Sequence, residues 1–164
     1  MLRISKLTDY ATVILAHLAA EPERRFTAAQ LAAETHVAGP TVSKLLKQLH
    51  RAQLVQSTRG LRGGYVLARP AAVITAAHIL DALEGPVALT ECAGNESHCC
   101  IERTCLVGRA WQRVNLAIRR SLQEITLLEL AGLGGGSSYP PTGERSLPIA
   151  PGSIAARSLK RQPL

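Results

Sequence analysis

The chain of 164 residues is long enough for one domain with a hydrophobic core and too short for two large ones. Its 19 lysine and arginine residues against 12 acidic ones give a net charge of +7, which favours a polyanionic partner. Aromatic residues are too few for the stacking surfaces that bind single-stranded nucleic acid, so duplex DNA is the expected partner. No apolar run reaches the roughly 18 residues of a membrane span, and we expect a cytoplasmic protein without a membrane partner.

The first predicted helix is amphipathic. Polar residues alternate with its apolar positions, which distinguishes it from the uniformly apolar core of a signal peptide. Asp9 follows Thr8, a candidate N-cap, and a carboxylate there complements a helix N-terminus. The apolar positions at helical intervals are Leu7, Ala11, Ile14, Leu15 and Leu18.

Two short helices joined by a tight turn predict a helix-turn-helix. Thr27 and Gln30 form a capping box that opens the first of them, which ends near Thr35. Pro40 lies at the start of the second, whose apolar stripe runs to about Arg51. A turn this short between two helices is typical of the helix-turn-helix motif.

A glycine-rich hairpin is predicted next, with strands over 54–56 and 64–68 and a loop over 57–63. The expected fold class is therefore mainly α with a small β-hairpin, a winged helix-turn-helix with a long dimerisation helix. A short helix over 75–83, an irregular loop over 85–105 and a helix over 106–130 complete it. From 132 to 164, 16 of 33 residues are Gly, Pro or Ser, which predicts a flexible tail after a folded domain over 1–131.

Between residues 41 and 70 the chain carries six lysines and arginines and no acidic residue, which favours a phosphate-binding surface over a solvated face of mixed sign. Those on the second helix recur at intervals of three and four, opposite the apolar stripe. Two hydroxyl residues near its start are expected to lie deepest in a major groove, and an arginine beside Gly60 to reach a minor groove. The predicted DNA-binding residues are Thr41, Ser43, Lys44, Lys47, Arg51, Arg59 and Arg62.

An apolar seam along the last predicted helix indicates a homodimer. A helix of about 25 residues spans roughly 37 Å, which is more than a small winged helix covers, so a second copy of the chain is expected to bury the excess. A two-fold dimer also explains how one module reads two inverted half-sites. The seam residues are Trp111, Val114, Ile118, Leu122, Ile125 and Leu128.

All four cysteines fall within the stretch 92–105, which indicates a metal site in a reducing compartment and argues against a disulfide framework. Thiolates at this density suit either zinc or an iron-sulfur cluster, and spacing alone leaves both open. A redox enzyme is disfavoured, because the chain has neither a Cys-x-x-Cys pair nor a phosphate-cradling glycine loop.

The chain resembles the bacterial iron-sulfur winged-helix regulators that include IscR and NsrR, over residues 1 to about 131. The resemblance rests on LRISKLTDYA, on TVSKLLKQLHRAQLV followed by RGLRGGYVLAR, on the three-cysteine loop and on ITLLEL. CCIERTC before GRAW is most similar to the branch that regulates SUF-type iron-sulfur assembly operons. The resemblance implies a dimeric repressor, not an enzyme, in which a 2Fe-2S or 4Fe-4S cluster controls promoter binding.

By position, the resemblance implies that Cys92, Cys99 and Cys105 are cluster ligands. In IscR a histidine three residues after the last cysteine completes the site, whereas this chain has Gly108 there. Asp9 aligns with an aspartate that in the NsrR branch ligates the cluster of the opposite subunit, so it is the candidate fourth ligand. A carboxylate is a weak ligand for such a centre, which would suit a sensor. Its alternative role is to complement the helix N-terminus.

Overall fold

The computed structural model describes residues 4–60, 63–89, 105 and 107–134. They form a mainly helical fold with one two-stranded antiparallel hairpin, which confirms the predicted fold class. The elements are α1 (Lys6–Ala20), α2 (Ala28–Thr35), α3 (Gly39–Arg51), β1 (Val55–Thr58), β2 (Gly64–Leu67), a 3-10 turn (Ala71–Val73), α4 (Ala76–Leu83), α5 (Gly108–Glu124) and α6 (Leu127–Leu130).

The core lies where α1, α2 and α3 meet and is closed by α4 and α6. Phe26, the one phenylalanine of the chain, is completely buried in it. The apolar stripe of α3 is completely buried as well, which fixes the orientation of that helix about its axis. The fully buried residues include Ala11, Ile14, Leu15, Leu31, Val42, Leu45, Leu46, Leu49, Ile74 and Leu127.

The start of α1 differs from the prediction. Ser5 is the N-cap, and its hydroxyl accepts a hydrogen bond from the backbone N–H of Thr8 at 3.2 Å. Thr8 was expected to be the cap, but it lies inside the first turn. Its side chain is buried, and its hydroxyl donates a hydrogen bond to Glu84. Leu7, expected on the buried face, is 37% exposed, and Asp9 lies in the first turn as predicted.

The hairpin, which we call the wing, is anchored to the helical body by backbone pairing. Its register runs from Val55 opposite Leu67 to Thr58 opposite Gly64. The N–H of Phe26 donates to the Tyr65 carbonyl at 3.1 Å, and the Tyr65 N–H donates back at 2.8 Å. The loop between α1 and α2 is therefore joined to the wing by an isolated β-bridge between Phe26 and Tyr65.

The predicted helix over 106–130 is two helices, so that expectation is wrong in its length. Ile125 is extended, and Thr126 caps α6 through a capping box with Glu129. The helix is interrupted because residues 74–76 form backbone hydrogen bonds with residues 125–127. The N–H of Ala76 donates to the Ile125 carbonyl at 2.9 Å, and the N–H of Leu127 donates to the Ile74 carbonyl at 2.7 Å. The backbone N–H and the hydroxyl of Thr126 also lower the pKa of Glu129.

Substitution of Gly64 tests the anchoring of the wing. An added Cβ at this position would lie 3.0 Å from the Phe26 carbonyl oxygen and 3.1 Å from the Arg25 Cβ. We therefore expect Gly64→Ala to lower the free energy of unfolding by about 1–3 kcal/mol. Gly39→Ala is the matched control, since its Cβ meets nothing within 4 Å, and should change it by less than about 0.5 kcal/mol. Equal effects of the two substitutions in urea unfolding would contradict this account.

Candidate DNA interface and metal-ligand residues

The face of α3 opposite the buried stripe carries the predicted base- and phosphate-contacting residues. Ser43, Lys44, Lys47 and Arg51 are all exposed, and Thr41 is half-buried. At about 100° per residue these side chains project away from the stripe that packs into the core. The fold thus presents five of the seven predicted DNA-binding residues on one helix.

The start of α3 offers backbone donors. The N-cap residue Ala38 makes no side-chain cap bond, and proline occupies the second helical position. The N–H groups of Gly39 and Thr41 in the first turn therefore receive no side-chain cap bond, and such groups are suited to donate hydrogen bonds to an anionic partner. Sequence reasoning identified Pro40 as a helix start but did not register the missing cap.

The wing contributes the sixth residue. Arg59 is exposed at its tip, beside Gly60, whose φ of +109° is readily accessible only to glycine. Arg62 lies outside the described residues.

A polar hollow of about 380 Å³ separates the wing from the start of α2. Besides Arg59 it is lined by four hydroxyl side chains, those of Thr27, Ser57, Thr58 and Tyr65. Hydroxyls and arginine are among the groups that donate to phosphate oxygens in DNA complexes. Sequence reasoning missed these hydroxyls; the Ser-Thr-Arg run at 57–59 was the available signal.

A surface network fixes the first helix of the helix-turn-helix against α1. His17 Nε2 lies 2.8 Å from Glu34 Oε2, and Arg24 Nη2 lies 2.9 Å from Glu34 Oε1. The Arg24 guanidinium also lies over the Phe26 ring, 4.3 Å from its centroid. Partly exposed ion pairs contribute little stability each, so the main effect of the network is to orient α2 and the loop that holds the wing.

Two of the four candidate metal ligands belong to the described residues. Cys105 is half-buried just before α5, and Asp9 is exposed on α1; Cys92 and Cys99 lie outside that part of the chain. Gly108, the first residue of α5, is buried, and a Cβ added there would lie 3.6 Å from the Cys105 Sγ. Position 108 is thus next to the thiol, and its own residue has no side chain to ligate a metal.

Glu84 joins the start of α1 to the start of the predicted cysteine loop. Its Oε1 accepts hydrogen bonds from the Thr8 hydroxyl and from the Ser5 N–H, the latter at 3.0 Å. The bond from Thr8 and then the bond from Ser5 lower the pKa of Glu84, against a smaller opposing effect of burial. The neighbour of Asp9 is therefore tied to the residue after α4, which sequence reasoning did not predict.

An apolar face of α5 remains exposed. Trp111 is 46% exposed and Val114 42%, with Val107 beside them at 58%. Helix α5 also packs on α4, and Arg119 makes two hydrogen bonds to the Asp81 carboxylate at 2.8 and 3.2 Å. Of the predicted seam, Ile118 and Leu122 are half-buried. Ile125 and Leu128, also half-buried, lie beyond the end of α5. Across the described ranges, no helix is long and apolar enough to cross a membrane.

Comparison with known proteins places this geometry in context. A protein of Neisseria meningitidis that carries the name of an HTH-type transcriptional regulator is 38% identical over 99 residues, covering 58% of this chain and 66% of that protein. The chain thus matches just under two thirds of the length of that relative. The protein aau3 of Rhizobium meliloti is 32% identical over 130 residues, 79% of this chain and 84% of its own.

Two solved structures share the fold. The structure of CymR, the global cysteine regulator of B. subtilis, has a TM-score of 0.63 and 29% identity, covering 82% of this chain and 100% of that one. IscR of T. potens has a TM-score of 0.58 and 26% identity, covering 80% and 87%. The family model of Rrf2, described as an iron-dependent transcriptional regulator, matches residues 4–132. With that match over most of its length, the chain belongs to the Rrf2 family of transcriptional regulators.

Proposed function

We propose that the chain is a homodimeric repressor that binds duplex DNA under the control of an iron-sulfur cluster, and that it regulates iron-sulfur assembly genes. The observation that carries DNA binding is the geometry of α3. Its apolar stripe is completely buried, so Lys44, Lys47 and Arg51 face outward together. A helix with this division of its surface is suited to enter a major groove, and the wing arginine Arg59 to reach the flanking minor groove.

Groups that can donate hydrogen bonds to phosphate lie on either side of the recognition helix and support the same proposal. The uncapped start of α3 and the hydroxyl-lined hollow beside Arg59 both offer donors. Because phosphate contacts set orientation while base contacts set sequence preference, we assign Tyr65, which lines the hollow, to positioning. Ser43, exposed near the start of α3, is assigned to base reading.

One lysine variant and one arginine variant test the DNA interface. Lys47→Ala should weaken binding to all duplexes and reduce the slope of log affinity against log salt by about one unit, as loss of one phosphate contact predicts. Arg59→Ala should mainly reduce the preference for A·T-rich flanks. Arg120→Ala, an exposed substitution on α5, is the control and should leave both quantities unchanged. Fluorescence anisotropy at several salt concentrations measures them, and unchanged affinity in both test variants would contradict the interface.

The homodimer is supported by exposed apolar side chains on two elements. Trp111 and Val114 on α5 are accompanied by Tyr10 and Val13 on α1, which are 38% and 43% exposed. Trp111 and Val114, three positions apart, lie next to each other on α5, and exposed apolar patches mark interaction sites. A second copy of the chain would bury the face of α5, and the two-fold axis would present two copies of α3 to inverted half-sites.

A charge placed on the exposed seam tests the dimer. Val114→Glu should raise the dimer dissociation constant at least about tenfold, because an unpaired carboxylate is costly to bury. Gln123→Glu adds the same charge at an exposed position of α5 outside the predicted seam and should leave the constant unchanged. Analytical ultracentrifugation measures both, with circular dichroism to check the fold. A Val114→Glu protein that remains fully dimeric at the wild-type concentration would overturn the assignment of α5.

We infer the iron-sulfur centre from the resemblance to the cluster-binding regulators and from the candidate ligands. Its candidate ligands fit such a group in chemistry: Cys105 offers a half-buried thiol, and Asp9 is exposed so that a partner subunit can reach it. When bound, an iron-sulfur cluster supplies a redox-sensitive centre whose loss reports oxidative or nitrosative stress or iron shortage. The chain positions the cysteine loop at both of its ends. Glu84, just before the loop, is hydrogen-bonded to the start of α1, and α5 begins just after the loop.

The buried Gly108 gives a direct test of the ligand set. Gly108→His places an imidazole next to the Cys105 thiol and should slow the loss of visible absorbance in air severalfold, since histidine completes the site in IscR. Gly108→Ala, which adds only the Cβ, should not. Asp9→Ala should accelerate the loss in the native background and have no effect in the Gly108→His background.

Cys105→Ala should abolish the absorbance of anaerobically purified protein. Retention of colour in that variant would contradict the role of Cys105. A colourless protein that contains zinc and no iron would favour the alternative, a DNA-binding regulator with a structural zinc site.

A further inference from the structure

A cleft of about 430 Å³ lies away from the residues assigned to DNA and metal contact, and Leu128 of the predicted dimer seam forms part of its wall. Its walls come from three parts of the fold: the end of α1 with the turn after it, the segment from the end of β2 into the 3-10 turn, and α6. Most of the lining is apolar, with Ala19, Pro22, Leu67, Ala72 and Leu128 among its residues. The volume is within the usual range of about 300–1,000 Å³ for small-molecule sites.

One cationic side chain lines this apolar cleft. Arg69 is half-buried, and its Nε is buried without a hydrogen-bond partner. No ion pair joins Arg69 to an acidic residue of the described chain. A buried polar donor left unpaired costs free energy, and each such group in a native fold calls for a specific reason. An anionic ligand in the cleft would pair with the charge of the half-buried guanidinium.

The lining also restricts the kind of anion. Among the described residues no carboxylate side chain lines the cleft, so they offer no counter-ion to an ammonium group, which disfavours amino acids. Arg69 is the one charged residue that the described part of the chain contributes to the lining, which is too little charge for a phosphate dianion. We propose that the cleft is a binding site for a small monocarboxylate with an apolar body, whose carboxylate pairs with Arg69 and whose hydrocarbon part packs against Leu67 and Leu128.

Arg69 also borders a second hollow, of about 380 Å³, on the side of His50, Gln53 and Gln56. That hollow is lined by more polar residues and offers less apolar surface to a hydrocarbon chain. The apolar cleft is therefore the better match for a ligand that has one charge and an apolar body. Substitutions in the apolar cleft and in the second hollow show which of the two holds the ligand.

Calorimetric titration of the full chain with 4-methylpentanoate tests the site. We expect saturable binding at one site per chain, with 4-methylpentanamide and leucine each at least about tenfold weaker, since the amide lacks the charge and leucine adds an ammonium group. Equal binding of the acid and its amide would overturn the proposal. So would the absence of saturable binding of the acid.

Variants then locate the ligand. Arg69→Gln should weaken binding of 4-methylpentanoate at least about tenfold, and Ala72→Trp, at an exposed wall position, should abolish it by filling the cleft. Gln56→Ala in the second hollow and Arg109→Gln on α5 are controls that should bind as the wild type does. If Arg69→Gln fails to fold, binding of 4-methylpentanoate to the Ala72→Trp variant still tests whether the ligand occupies this cleft. Wild-type affinity in Ala72→Trp, or a loss in Gln56→Ala alone, would overturn the assignment to this cleft.

Discussion

Burial of one stripe of α3 is the constraint on which the interface depends. Val42, Leu45, Leu46 and Leu49 are all completely buried, so rotation of the helix about its axis would expose leucine and bury lysine. Burying an unpaired ammonium is far more costly than leaving it in water. The free energy of the core therefore also determines which residues face the DNA, and no separate interaction is needed to hold Lys44 and Lys47 outward.

The elements that sequence predicted well are those specified by neighbouring residues. The capping box of Thr27 and Gln30 forms as expected, and α3 ends at Arg51. The features that the sequence did not predict depend on residues that are distant along the chain. Helix α5 ends at Glu124 because Ile125 and Leu127 bond to residues 74–76, and the Thr8 hydroxyl bonds to Glu84, 76 positions away. A helical period read along the chain contains no information about such pairings.

The same distinction separates the candidate site residues. The basic residues of α3 were predictable, because a charge pattern at helical spacing implies one face. The hydroxyl-lined hollow and the role of Glu84 were not, since each depends on residues brought together from separate segments. Arg69 shows the limit most clearly. In the sequence it is one more cation of an acid-free stretch, while in the fold its Nε is buried beside an apolar cleft.

Helix α1 connects the candidate metal-ligand region to the candidate DNA interface. At its start, Ser5 and Thr8 bond to Glu84, next to the predicted cysteine loop. Near its end, His17 contacts Glu34 of α2, and Arg24 joins this pair to the loop that holds the wing. A helix of 15 residues is about 22 Å long and stiff along its axis. Under the proposed function, a change in the cysteine loop that shifts Glu84 would thus reach α2 and the wing through a rigid element, without any contact between the cluster and DNA.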